Sequence, residues 1–250
     1  MIQKFLLISL ISINLFAITN EEVAKKTESI MSGFEDSSSE MTMTLINANA
    51  QKRIRKMKMQ VLEKESGDKS LMTFLSPADV KGTKFLKYEH IDKDDEQWLY
   101  LPALKRVKRI ASKNKSGSFM GSEFSYEDLS SFSVDKYNFK GDAEVVTLDG
   151  IEFYKGQRDP ISKNSGYTKQ ISWVDTKSFL IKKVEYYDRK HELLKTATFE
   201  DYKKISNIWR VGKMTMLNHQ NDKQTILVWK NETIRNSLKE KSFHKRILKK

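Results

Sequence analysis

From Ser38 onward the hydrophobic period of this chain is two, and it stays two nearly to the C-terminus. Met41, Met43 and Leu45 alternate with Thr42 and Thr44; Met57, Met59 and Val61 alternate with Lys56, Lys58 and Gln60. Successive side chains of a strand point to opposite faces, so this pattern dictates half-buried strands with an apolar inside and a charged outside. Similar runs cover 71–75, 84–90, 97–101, 104–111, 138–140, 144–148, 152–158, 167–175, 179–188, 193–202, 209–217 and 224–235. Turn signals separate them: Ser66-Gly67-Asp68, Pro77 to Gly82, Asp92 to Asp95, Asp149-Gly150 and Lys190-His191. Roughly a dozen strands joined by short turns make an antiparallel meander. Period alone leaves open whether it is a closed barrel, an incompletely closed one or a sandwich.

Two helices flank the strands. Asn20 to Phe34 carries Val23, Thr27, Ile30 and Phe34 on one stripe, with Thr19 or Asn20 as cap, Glu21 and Glu22 at the positive end, and Gly33 as stop. Ser237 to Leu248 reads as a final basic helix with Leu238, Phe243 and Leu248 as contacts, and Tyr126 to Phe132 as a short one. Ahead of all this, Lys4 and the apolar run Phe5 to Phe16 have the form of a secretory leader ending near Ala17. The run falls short of the ~20 residues a spanning helix needs, and an uncleaved N-terminal anchor is the rival reading. The expected organisation is a leader over residues 1–17 and one β domain over 18–250.

Composition excludes several functions. Without cysteine there is no disulfide, no thiolate metal site, no thiol nucleophile and no lipoprotein acylation site. The net charge is +12, which attracts polyanions such as anionic membrane or nucleic acid, and export disfavours the latter. No HExxH, GxSxG or GxxxxGK[ST] occurs, the four histidines are scattered, and Asp92, Asp94, Asp95 and Glu96 lack calcium-loop spacing. The expectation is a protein with no catalytic residue, no metal and no cofactor.

The middle of the chain narrows the choice of architecture. The blocks SPADVKGTKFL (Ser76 to Leu86), DDEQWLYLP (Asp94 to Pro102) and WLYLPALKRVKRIASKNKSGSFMGSEFSYEDL from Trp98 resemble the corresponding segments of LolA-like periplasmic proteins, the outer-membrane lipoprotein-sorting family. The resemblance implies a mainly β fold, an open and strongly curved antiparallel barrel closed by helical segments, with an acyl chain in its hollow. It also implies a monomeric carrier, an inner-membrane exporter that loads it and an outer-membrane acceptor. The match is to a divergent branch, so other lipids compete with lipoproteins as cargo.

On that fold the inward apolar candidates for a lipid cavity are Met57, Met59, Phe74, Phe85, Trp98, Tyr100, Trp173, Trp209 and Met214. Ten methionines, flexible and tolerant of irregular partners, suit such a wall. Phe119, Met120 and Phe124 sit on a Ser/Gly loop and read as a lid, with a permanent plug of the barrel end as the alternative, since exposed aromatics are unfavourable unless they cover something. Arg106 and Arg109 are the candidates for pairing an anionic head group at the rim. The expected function is a periplasmic carrier of lipoprotein or lipid acyl chains. The rival is a transporter accessory whose groove docks a peptide or helix.

Overall fold

The computed structural model describes residues 17–249, so all of the expected leader except Ala17 lies outside the described residues. A helix α1 (Asn20–Met31) opens the chain. Thr19 and Glu22 form a reciprocal capping box: the Glu22 carboxylate accepts from the Thr19 backbone at 2.8 Å and the Thr19 hydroxyl accepts from the Glu22 backbone at 3.2 Å. The helix ends three residues before Phe34, which turns away to pack with Val61 and Ile208.

The strands are β1 (Asp36–Ile46), β2 (Lys52–Leu62), β3 (Lys69–Ser76), β4 (Lys84–Tyr88), β5 (Glu96–Leu101), β6 (Arg106–Ile110), β7 (Tyr137–Phe139) and β8 (Glu144–Leu148). They continue as β9 (Ile151–Pro160), β10 (Lys169–Asp175), β11 (Ile181–Tyr187), β12 (Leu193–Glu200), β13 (Lys203–Ile205), β14 (Ile208–Arg210), β15 (Lys213–Asn218) and β16 (Lys223–Ile234). Fourteen of them form one antiparallel sheet, in the order β6-β5-β4-β3-β2-β1-β16-β15-β12-β11-β10-β9-β7, with β8 also on β9. The sheet does not close: β6 and β7 are free ends, and the open antiparallel barrel expected from the sequence is the observed fold. β13 and β14 form a separate hairpin whose tip, Ser206-Asn207, has φ of 49° and 68°. Two such residues make the primed turn that matches strand twist. The sequence reading ran β14 into the following strand and left β13 unassigned.

The topology decides where the long central loop must go. β1 and β16 pair in the middle of the sheet, whereas β6 and β7, consecutive in sequence, lie at opposite edges. The connection over residues 111–136 joins these edges and runs through the concave side, where Phe119 and Phe124 enter the core. Helix α1 covers another part of that side, with Val23 in the core and the Thr27 hydroxyl donating to the Phe179 carbonyl at 2.9 Å. Its N-terminus comes so close to β9 that a Cβ on Gly156 would stand 2.1 Å from Asn20 Oδ1.

The convex side is also partly buried. Leu71, Leu86 and Trp98 project outward from β3, β4 and β5 and are covered by Phe243 and Leu248. The expected C-terminal basic helix is instead two short 3-10 turns, Glu240–Phe243 and Lys245–Lys249, strapped down by the Tyr88 hydroxyl on the Phe243 carbonyl at 2.6 Å and by Lys84 on the Ile247 carbonyl at 2.8 Å. The short helix expected at 126–132 is likewise a single turn, Glu127–Leu129.

Candidate functional site

The concave side is divided between a solid part and a hollow part. The solid part lies against β1 to β5, where Phe119 (0% exposed) and Phe124 (1%) insert among Met43, Met57, Met72, Phe74 and Phe85. The Phe119 ring stands 5.0 Å from Phe85, 5.5 Å from Tyr126 and 6.1 Å from Phe74. A tight turn makes the insertion possible: Met120 and Gly121 take φ of 53° and 75°, and Ser122 N–H donates to the Phe119 carbonyl at 2.9 Å. Strands from both halves of the sheet hold the turn. Arg55 donates to the Met120 carbonyl at 2.7 Å, Lys195 to the Glu123 carbonyl at 3.0 Å, and Thr225 accepts from Glu123 N–H at 3.0 Å. Of the two readings for Phe119, Met120 and Phe124, a lid or a plug, the packing is that of a plug.

Beyond the plug lies an open cavity of about 1180 Å³. Its apolar wall is built by Met41 and Met59 from the first half of the sheet and by Met214, Met216, Leu227 and Trp229 from β15 and β16. Tyr186 and Phe199 add aromatic faces, and Phe124 closes the inner end. The volume is above the ~300–1,000 Å³ usual for small-molecule pockets. Among the described residues no helix is long and apolar enough to cross a membrane, and no cluster of three potential ligands could hold a metal ion.

Polar groups line the opening, and they are mostly acidic. Fourteen Asp or Glu side chains border the cavity against seven Lys or Arg, in a chain whose net charge is +12. Burial and the neighbouring carboxylates Glu89 and Glu63 push Asp68 up to about 6, against the hydrogen bonds it accepts from Ser131 and the Lys64 backbone. Burial would raise Asp95 too, but Lys87 and Lys136, at 3.1 and 3.3 Å, outweigh it and hold that carboxyl at about 2. Deeper in, Lys195 and Asp128 form a 2.6 Å pair, both nearly inaccessible, and Asp128 also accepts from the Tyr167 hydroxyl at 2.7 Å. Burial pushes the Tyr167 phenol well up, so it stays a donor.

One pair has the outline of a catalytic site: Lys87 Nζ donates to Ser130 Oγ beside the cavity. A general base there would have to be a neutral amine. Glu89 and Asp95 flank the lysine at 3.9 and 3.1 Å, which makes it the centre of an electrostatic tie between β4 and the crossing loop.

The expected cavity residues separate into three groups. Met59 and Met214 line the hollow. Met57, Phe74 and Phe85 face the same side but are spent on the plug. Trp98, Tyr100, Trp173 and Trp209 are not on the cavity wall, a correction to the inward assignment. Trp98 and Tyr100 belong to the convex cluster under the C-terminal turns, with Lys245 4.0 Å above the Trp98 ring. Trp173 alternates with inward Val174 and lies beneath the Lys183 stem, its ammonium 3.5 Å from the ring. Trp209 sits on the outlying hairpin under Lys204. The rim arginines are corrected as well: Arg106 and Arg109 lie exposed on edge strand β6, away from the cavity lining, and Arg109 reaches Glu96 at 3.6 Å. The reading missed Trp229, Leu227 and Met216. Their signal was present in the register, because Met214 faces Leu227 across β15 and β16 and Trp229 faces Met41 across β16 and β1.

Comparison with known proteins extends this picture. A family model, described as an uncharacterised protein, matches residues 66–250. Among curated proteins none matches the chain. A solved domain from Vibrio parahaemolyticus, provisionally assigned as an outer membrane lipoprotein-sorting protein, is 46% identical over 92% of this chain and 98% of its own, with TM-score 0.88. A DUF1329 family protein from Desulfovibrio piger is 30% identical over 91% and 97%, with TM-score 0.86. A LolA superfamily protein from Nitrosomonas europaea shares the fold at 19% identity and TM-score 0.75, covering 92% and 100%. The two relatives at 46% and 30% identity place the chain in the family that holds this outer membrane lipoprotein-sorting protein domain and the DUF1329 protein, and its open sheet shares the fold of the LolA superfamily protein.

Proposed function

We propose that this protein is a periplasmic carrier that shelters the acyl chains of a lipoprotein or another lipid during transfer between the inner and outer membranes. The observation that carries the reading is the open apolar cavity of about 1180 Å³ left on the concave side after the plug has filled the rest. Each buried methylene contributes about 0.8 kcal/mol, so a 16-carbon chain brings on the order of 10 kcal/mol before ordering costs. A tail needs no hydrogen bonds, and the wall of Met41, Met59, Met214, Met216, Leu227 and Trp229 offers it none that it would leave unmet. In this reading residues 1–17 are a leader removed on export, and residues 18–250 work as a monomer between an exporter and an acceptor. There is no chemical step; cargo moves down differences in affinity.

Lipid extraction and mass spectrometry of protein purified from its native host tests the reading. A near-stoichiometric acyl species is expected, lost in Met214→Glu with the fold retained by circular dichroism. Lipid-free wild-type protein that also fails to take up added acyl chains would refute it.

A further inference from the structure

We propose that the head group of the cargo is cationic: the cavity is built for a lipid whose polar end carries an amine. This deepens the carrier reading and rests on it. Apolar walls fix the tail without regard to charge, so the sign of the head must come from the opening. Along the whole lining the balance is opposite to that of the molecule, with fourteen acids against seven bases, and it stays acidic when Lys87, Lys195 and Arg235, which pair with lining acids from outside, are added.

The acids form a continuous arc. Glu28 on α1 accepts from Val134 N–H at 3.3 Å, next to Asp135. The same loop brings Ser131, whose hydroxyl donates to Asp68 at 2.7 Å and whose N–H donates to Glu89 at 2.8 Å. Glu63, at the end of β2, accepts from Gly33 and Glu35 N–H at 2.8 Å each and lies close enough to Asp68 to raise it. Gly67 allows the crowding, since a Cβ there would stand 2.3 Å from the Glu89 carbonyl. Among the described residues no ion pair is formed by Glu28, Glu63 or Asp68.

Five of the seven cations on the same lining are already engaged. Lys136 is shared by Glu89 at 2.7 Å and Asp95 at 3.3 Å. Arg210 pairs with Glu232 at 2.8 Å and lies 4.2 Å from the Phe34 ring. Arg158 donates to Gln170 at 2.9 Å between the rings of Phe132 and Tyr137. Lys64 turns out to Glu240 at 3.1 Å, Lys115 stands against Glu127, and Lys93 and Lys239 are exposed side chains. A phosphate or carboxylate head would face the three unpaired carboxylates; an ammonium would complete them.

Matched tails isolate the head. Binding of hexadecylamine, palmitate and hexadecanol below their aggregation concentrations at pH 8 is measured by calorimetry on the 18–250 protein. The expected order places the amine at least about tenfold tighter than palmitate, with hexadecanol between, although net charge alone favours the anion. In Glu63→Gln/Asp68→Asn the amine loses that advantage while hexadecanol binds as in wild type. Should that variant unfold, Glu28→Gln and the salt dependence of wild-type amine binding give the same readout. Palmitate binding as tightly as the amine, or tighter, overturns the inference and leaves the carrier reading standing. If none of the three tails binds, the carrier reading itself fails and takes the inference with it.

Discussion

Phe119→Ala separates a plug from a lid. The ring is fully buried and contacts Phe74, Phe85 and Tyr126 at 5.0–6.1 Å between centroids. Truncating a buried Phe costs about 3–5 kcal/mol through lost transfer energy and the void left behind. Aromatic pairing adds about 0.5–1.5 kcal/mol per pair beyond burial, which places this site at the upper end of the range. Domains are stable by only about 5–15 kcal/mol, so the loss is a large share of the total. With a urea slope of about 3 kcal/mol per M the midpoint falls by roughly 1.3–1.7 M. Equilibrium urea unfolding followed by far-ultraviolet circular dichroism reads this directly. A loss under about 1 kcal/mol, with unchanged slope, would mean that the loop spends little time in the sheet and that the plug assignment is wrong.

Three further outcomes follow from the same geometry. Asp128→Asn leaves Lys195 buried without its counter-ion and should destabilise by about 3–5 kcal/mol, measured by chemical unfolding; a change near zero would show that water reaches the pair. Asp68, raised to about 6 in the fold from an ordinary 3.8, is favoured in its protonated form by the native state, so its contribution is present below pH 4 and lost as pH rises through about 6. Asp95, held at about 2, works in the opposite sense and contributes above pH 4, losing that as pH falls toward 2; melting curves of Asp68→Asn and Asp95→Asn against pH should therefore depart from wild type in opposite directions, and parallel curves would contradict the assignments. Removing residues 238–250 uncovers Leu71, Leu86 and Trp98, so the truncated protein should bind a hydrophobic dye and self-associate while acyl binding persists; unchanged dye binding would show that the strap contributes no cover.

The fold was legible because strand alternation and turn residues are local signals. Met41 against Thr42, Met57 against Lys58, and Asp149-Gly150 at a hairpin tip each state face or turn without reference to the rest of the chain. Which face belonged to the cavity was less legible. In Gln97-Trp98-Leu99-Tyr100-Leu101 both faces are buried, Leu99 against the concave core and Trp98 under Phe243, so alternation gives no polar side from which to orient the strand. Trp173 misled for a related reason: lysine stems cover its outward ring, and nothing in the sequence marks that cover. The plug was hidden in topology. The loop between the opposite edges β6 and β7 fills the interior, but the sequence pairs neighbours by default and does not announce which consecutive strands lie apart.

Trp229 offers the sharpest test of the cavity. It is the one tryptophan of the four that lines the hollow; Trp98, Trp173 and Trp209 face elsewhere. A monoacylglycerol brominated near the tail end should quench the fluorescence of this residue alone, and Trp229→Phe should abolish quenching while binding persists by calorimetry. Quenching that survives in Trp229→Phe but disappears in Trp98→Phe would put the tail on the convex side and contradict the account.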